Sequence, residues 1–352
     1  MKTERKSALM AIVTSMSGNA LEWYDFALYG YFATVLAQVF FPTKSHFVSL
    51  MLTLSVFASG FIIRPLGGAF FGHIGDKYGR RFALVASIVL ITIPTTLMGL
   101  LPGYQSIGMA APILLTCLRL LQGLAVSGEL TGAGVFLVES APSMRRGFFG
   151  SLIMCSTYLG LLVGSVVAAI VSMLFDTAQV IAFAWRIPFL LSAIVGGIAF
   201  VLRLQCTESP LFMQARQADE LVDYPIKESY RCYWKSMLWV GLLSSSLAVA
   251  IYLVIGYFPT FFNVTKGMGL RGSLLISVVG LSALTVLVPC WGMIADKLGR
   301  QCVLACGACG FIVFSYPLFL LADHGGFAYA VGSELVLVAC LAPVAGSLLV
   351  GL

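Results

Sequence analysis

Charge is the scarcest property of this 352-residue chain, in which Asp, Glu, Lys and Arg together make up 10% of the residues, against about 25% in an ordinary soluble domain. With 59% of residues hydrophobic, a water-soluble fold is excluded. No G-x-x-x-x-G-K-S/T loop is present to cradle a nucleotide phosphate, so no ATP-driven chemistry is expected. No H-E-x-x-H motif or paired nucleophile and base supports an intramembrane enzyme. The nine cysteines fall mostly inside apolar runs and form no disulfide framework. Cys302, Cys306 and Cys309 line one helical face, but no His or carboxylate accompanies them. They read as small hydrophobes buried in a bundle rather than as a metal site. The net charge of +6 calls for no nucleic acid, because the basic residues collect in short loops. An uncleaved first span rather than a signal peptide is expected: the apolar stretch after Lys2, Arg5 and Lys6 is interrupted by Glu22 and Asp25 and lacks a convincing small-residue cleavage site.

What the chain does have is membrane-length apolar runs. About 20 such residues cross roughly 30 Å of hydrocarbon, and windows of that kind fall near 10–40, 47–72, 82–101, 108–138, 147–174 and 183–204, then near 236–262, 270–294, 301–321 and 330–352. A polar stretch, 205–235, separates the six from the four and carries Glu208, Arg216, Asp219, Glu220, Asp223, Lys227, Glu228 and Arg231. The expected organisation is an N-terminal six-helix half (1–204), a cytoplasmic linker (205–235) and a second half of about four helices (236–352). If the spans alternate, fifteen of the 21 Lys and Arg residues fall on one side, which is then cytoplasmic and holds the N-terminus. Lys44, Lys266 and Arg271 lie on the other side, and Arg64, Arg119 and Arg186 lie within spans or at their ends.

A ten-residue string, GHIGDKYGRR at Gly72 to Arg81, recurs as GMIADKLGRQ at Gly292 to Gln301. Each copy sits in a short loop between two apolar runs, which points to a duplicated bundle. Asp76 and Asp296 can accept backbone N–H bonds at a helix N-terminus while Arg80 and Arg300 reach a neighbouring carboxylate. With Lys77, Arg81, Glu139, Arg145, Arg146 and the loop basic residues around them, these form a candidate cytoplasmic gate.

The most informative chemistry is in the first run, SGNALEWYDFALYG, Ser17 to Gly30. At about 100° per residue, Asn19, Glu22, Asp25 and Tyr29 share one helical face. Two lipid-facing carboxylates would cost on the order of 5–7 kcal/mol, so this face meets a cavity or a partner. On the fourth run, RLLQGLAVSGELTGAG, the polar residues are Arg119, Gln122 and Glu129. An intramembrane Arg beside an acid can act as a proton switch: protonating the acid frees the Arg to hold a substrate anion, and deprotonation restores the pair. Asp25 and Glu129 both stand as partners for Arg119, and a permanent bridge is the bland alternative. Candidate proton-coupling residues are Asp25, Glu22 and Glu129. Candidate substrate-binding residues are Arg119, Gln122, Asn19, Trp23 and Tyr24.

The paired G-x-x-x-D-K-x-G-R loops resemble the signature of the major facilitator superfamily. SGNALEWYDFALYG, FIIRPLGGAFFGHIGDKYGRR, LRLLQGLAVSGELTGAG, ESAPSMRRGFFGS and AWRIPFLLS, in that order, resemble its metabolite:proton symporter family, which includes proline/glycine betaine and α-ketoglutarate permeases. The resemblance implies an all-α polytopic bundle of two six-helix halves, alternating access, and a cavity lined by spans 1, 4, 7 and 10. It also implies proton-coupled symport of a small polar metabolite across a bacterial inner membrane, with the proton gradient as energy source and no cofactor. Its transport roles fall on Asp25 and Glu22, and on Arg119, Gln122 and Glu129, with Tyr252 and Tyr257 on span 7 as candidates by position only. Arg119 is the one clear cation in the lining spans so implied, and Trp23, Tyr24 and Tyr252 offer an aromatic surface for a cationic group; both favour a zwitterion mildly over a dicarboxylate. Ser127 stands where the family has the first Gly of G-G-E. The last run looks like span 10, so spans 11 and 12 are expected to be missing, span 11 being the helix against which Asp76 is expected to dock. The alternative reading is a truncated remnant or a transporter-derived sensor.

Overall fold

A computed structural model describes residues 2–218, 231–258, 261–262, 269–324 and 326–351. Asp219, Glu220, Asp223, Lys227, Glu228 and Lys266 lie outside the described residues. Those described form helices and no strands. Ten membrane-length helical segments appear in the order of the apolar runs. Span 1 is Lys2–Tyr31 continued by Ala33–Phe40, and span 2 is His46–Ile62 continued by Arg64–Tyr78. Spans 3 to 6 are Arg80–Leu100, Ala110–Glu139, Arg146–Leu174 and Arg186–Leu204. Span 7 is Trp234–Ile251, running into a π-helical turn, Tyr252–Tyr257; spans 8 to 10 are Gly269–Leu298, Arg300–His324 and Phe327–Gly351. Nine of these are long and apolar enough to cross a membrane by composition. Span 1, which carries Glu22 and Asp25, is the tenth.

Breaks follow local chemistry. Pro65 has no N–H to donate, so the helix of span 2 is interrupted at Ile63 and restarts with Pro65 in its first turn. In the two repeated loops the glycine of D-K-x-G-R, Gly79 and Gly299, has φ of 110° and 89°. Only glycine takes that conformation without strain, and it ends one helix and starts the next within a single residue.

Span 6 is ordered the way a bilayer demands. Phe189, Ser192, Gly196, Ala199 and Arg203 are buried, while Leu191, Ile194, Val195, Ile198 and Val201 are exposed. A helix that hides its Arg and presents its branched aliphatics outward is stable in lipid and would not be in water.

The chain divides into two compact units, Met1–Ser140 with Val163–Ile226, and Ala141–Leu162 with Lys227–Leu352. Span 5 therefore belongs to the second unit up to residue 162 and to the first from 163. The core of the first unit gathers Leu28, Tyr29, Phe40, Trp185 and Phe189. That of the second gathers Tyr158, Val254, Phe258, Ile276, Leu284 and Leu337. Cys302, Cys306 and Cys309 are exposed on span 9 rather than buried in the bundle, which corrects the expectation above; small apolar side chains suit a lipid-facing surface equally well.

In the first unit, spans 2 and 4 meet backbone to backbone. A Cβ on Gly67 would run into the Leu124 carbonyl, and one on Gly123 into the Gly60 carbonyl. Small residues permit this approach, and close packing holds membrane helices together. Gly67→Ala is expected to lower stability by about 1–3 kcal/mol through overpacking, whereas Gly72→Ala, which meets nothing within 4 Å, leaves it unchanged; thermal unfolding in detergent compares them.

Candidate functional site

The close approach of spans 2 and 4, with span 1 alongside, makes a small polar pocket in the first unit. Glu22 and Asp25 line it from span 1, Arg64 from span 2, and Arg119 and Gln122 from span 4, with Phe26, Phe57 and Phe61 as its aromatic wall. Arg119 Nη1 donates to Asp25 Oδ2 at 2.8 Å and to Gln122 Oε1 at 2.8 Å. Gln122 Nε2 donates onward to Thr95 Oγ1 at 2.6 Å, and Thr95 donates to the Ile91 carbonyl. The Arg119 guanidinium lies 3.9 Å from the centre of the Tyr29 ring, which is held by its hydroxyl on the Thr53 carbonyl and by stacking on Phe57. Arg119, Asp25 and Gln122 are all buried.

The Asp25–Arg119 pair is joined through a single nitrogen and a single oxygen. Asp25 Oδ1 and Arg119 Nε and Nη2 have no hydrogen-bond partner. A buried bidentate pair would be fixed; a monodentate one with spare donors and a spare acceptor can open and accept another ligand.

Glu129 is elsewhere. Seven residues along span 4 from Gln122, about 10 Å down the axis, it pairs with Arg203 of span 6 through both carboxylate oxygens. Ser87 donates to Glu129 Oε2 at 2.7 Å, and Arg203 also donates to the Leu84 carbonyl. Both residues are fully buried. Gly18 of span 1 leaves the room this pair needs, since a Cβ there would collide with the guanidinium and with Glu129 Oε1. Of the two partners open for Arg119, then, Asp25 is the one it meets.

Other candidates separate by helical geometry. Asn19 is buried on the Glu22 face. Tyr24 lies on the far side of span 1 and donates to the Pro188 carbonyl of span 6 at 2.9 Å. Trp23 packs on Phe26 at 5.3 Å and does not line the pocket. Tyr252 and Tyr257, in the second unit, are exposed on the π-helical turn that ends span 7.

The loop residues form two sets. In the first unit Arg80 pairs with Asp76 at 2.7 Å and approaches Glu139 at 3.6 Å, while Ser209 donates to Glu139. Glu208 accepts from the Arg81 amide at 3.1 Å, and Lys77 is exposed. In the second unit Asp296 accepts from the Gly147 and Phe148 amides at 2.6 and 2.9 Å, at the N-terminus of span 5. Arg145 is exposed, and Arg146 and Arg300 are half-buried. Asp296→Ala is expected to cost about 0.5–2 kcal/mol, as loss of a helix cap does, and to speed amide exchange at Gly147 and Phe148 selectively.

Three buried or pocket residues went unassigned in the sequence reading. Arg64 adds a second cation to the pocket, which corrects the inference that Arg119 is the only one. Arg203, in the last turn of span 6, is one of the fifteen basic residues that the sequence places on the cytoplasmic side. Glu334 of span 10 is buried in the second unit against Gly280, with neither carboxylate oxygen bonded. Each is a charge inside an apolar run, which marks a functional candidate by default.

Residues 10–223 match the family model described as sugar (and other) transporter. The proline/betaine transporter of Escherichia coli strain K12 is 36% identical over 320 residues, covering 88% of this chain and 64% of that protein. The glycine betaine/proline/ectoine/pipecolic acid transporter OusA of Dickeya dadantii is 35% identical over 321 residues, again 88% and 64%. The chain thus spans somewhat under two thirds of the length of these relatives. Among solved structures, the proton:xylose symporter XylE of the major facilitator superfamily, bound to 6-bromo-6-deoxy-D-glucose, superposes with a TM-score of 0.77 at 20% identity, over 98% of this chain and 82% of that one.

Proposed function

Because the chain belongs to the sugar (and other) transporter family of the major facilitator superfamily, a family of transporters and not of enzymes, we propose that it carries a small polar metabolite across a bacterial inner membrane together with a proton. Asp25 is the proton-binding carboxyl and Arg119 its counter-charge. With Asp25 ionised, the pair is closed through its single hydrogen bond. With Asp25 protonated, the bond weakens and Arg119, kept in place by Gln122 and the Tyr29 ring, turns its spare donors to the anionic group of the solute. Two charges buried among spans 1 and 4 and joined by one bond are the observation that carries this reading.

The solute is a zwitterion of the proline or betaine kind. The names of the relatives support this, as does a pocket that gathers two carboxyl groups and two guanidiniums. The energy source is the proton gradient, with no cofactor. The N-terminus is cytoplasmic on the strength of the basic loops, and the working halves are residues 1–204 and 236–352, joined by 205–235. The loop contacts of Asp76, Arg80 and Glu139, and those of Asp296 at span 5, break and re-form as access alternates. Uptake of radiolabelled proline, glycine betaine, α-ketoglutarate and shikimate by proteoliposomes under an inward proton gradient tests the reading. Accumulation of the zwitterions above the equilibrium level supports it, and accumulation of the dicarboxylate alone, or of none, sinks it.

A further inference from the structure

The pocket holds four ionisable side chains but one ion pair. Asp25 and Arg119 neutralise each other at 2.8 Å. Glu22 and Arg64 line the same pocket, yet no ion pair or hydrogen bond joins them, and Glu22 Oε2 and Arg64 Nε are buried without a hydrogen-bond partner. Glu22 is 4% exposed. An acid and a base left apart in a low-dielectric cavity each carry an unmet desolvation cost. A solute that bears both charges relieves both at once.

The local structure holds Arg64 for such a task. It opens the second helical piece of span 2, directly after the break at Ile63. Its carbonyl accepts from the Ser127 hydroxyl at 2.6 Å, which ties the break to span 4. The guanidinium rests 4.3 Å from the centre of the Phe61 ring and 6.0 Å from that of Phe26, on aromatic faces rather than on a carboxylate. The backbone is anchored and the charged head is not committed. Ser127 supplies that anchor.

We propose that Arg64 and Glu22 complete the two poles of the solute site: Arg64 joins Arg119 on the carboxylate of a zwitterion, and Glu22, with the Phe26 and Phe57 rings, takes its ammonium end. This deepens the transport reading above and rests on it. The free space in this arrangement is about 30 Å³, room for water but too little for the solute, so the solute enters as Arg64 leaves the Phe61 ring and opens the pocket. The charge pattern sets specificity by what it rejects. A solute with only a carboxylate meets Glu22 unpaired, one with only an ammonium meets Arg64 unpaired, and a dicarboxylate places its second anion against Glu22.

Isothermal titration of the purified full chain with three probes of nearly one shape tests this: glycine betaine, choline, which lacks the carboxylate, and 3,3-dimethylbutyrate, in which carbon replaces the charged nitrogen. The wild type is expected to bind betaine at least about tenfold more tightly than either single-charge probe, the range a charged hydrogen bond supplies. Arg64→Gln weakens betaine by a similar factor without weakening choline, and Arg64→Lys recovers part of the loss. Glu22→Gln raises the affinity for 3,3-dimethylbutyrate toward that for betaine. Retained choline binding shows that the Arg64 variant is folded. Unchanged betaine affinity in Arg64→Gln, or unchanged discrimination in Glu22→Gln, overturns the proposal while leaving the carrier reading intact. A wild-type protein that binds none of the three overturns both.

Discussion

Replacing Asp25 by Asn is expected to abolish uphill accumulation of the solute while downhill movement and binding persist. The Asn side chain has the size and neutrality of the protonated acid, so the carrier is held in the state that binds solute and cannot return a proton. Arg119 does not become a stranded charge, because Gln122 Oε1 accepts from it at 2.8 Å and the Tyr29 ring lies beneath it at 3.9 Å. Affinity for the solute carboxylate should therefore hold or tighten, since the competing carboxylate is gone. Counterflow of labelled against unlabelled solute, which needs no net proton movement, should stay near wild type, and concentrative uptake should vanish. Concentrative uptake at the wild-type rate would remove Asp25 from the mechanism.

The second large effect concerns the other buried pair. Arg203→Ala is expected to lower stability by about 3–5 kcal/mol, the cost of leaving a buried charge, here Glu129, without its partner. Glu129→Gln removes the charge from the opposite side and strands Arg203, with a loss of similar size. The double change Glu129→Leu with Arg203→Met should recover much of it, because an apolar pair of similar volume avoids the desolvation cost of both ions. Thermal unfolding in detergent of the wild type, Glu129→Leu, Arg203→Met and their double variant gives the coupling energy as a double-mutant cycle. The same Glu129→Gln variant decides whether Glu129 carries protons: a stable protein that has lost only its uphill transport would assign Glu129 to coupling, whereas a destabilised protein whose uphill transport persists assigns it to structure.

These two pairs also show how far a sequence of this kind can be read. The helical order, the two D-K-x-G-R turns and the shared face of Glu22, Asp25 and Tyr29 follow from periodicity and from the high cost of charge in lipid. The choice of partner does not. Glu129 and Asp25 both stood as candidates for Arg119 because both are acids in apolar runs, but Glu129 lies ten residues, about 15 Å, along span 4 from Arg119, and the packing of span 6 against span 3 brings Arg203 to it instead. Arg203 was hidden because a basic residue in the last turn of a span normally reaches for the membrane surface; here it turns inward under Gly18. Arg64 was hidden by its place beside Pro65, which reads as a helix end until the backbone contacts of Gly60 with Gly123 and of Gly67 with Leu124 put it on the Asp25 pocket. Trp23 and Tyr24 looked suited to a cationic solute by composition. At 100° per residue they flank the functional face, and Phe26, Phe57 and Phe61 take the place expected of them.

The central claim is that proton movement and solute movement share Asp25. It is tested most directly by adding solute to sealed, lightly buffered proteoliposomes whose membrane potential is clamped with potassium and valinomycin, and following external pH. The account predicts that glycine betaine or proline alkalinises the medium in the wild type, that a protonophore abolishes the signal, and that Asp25→Asn gives none while still exchanging labelled solute. Solute entry without alkalinisation in the wild type, or alkalinisation by Asp25→Asn equal to that of the wild type, would contradict it.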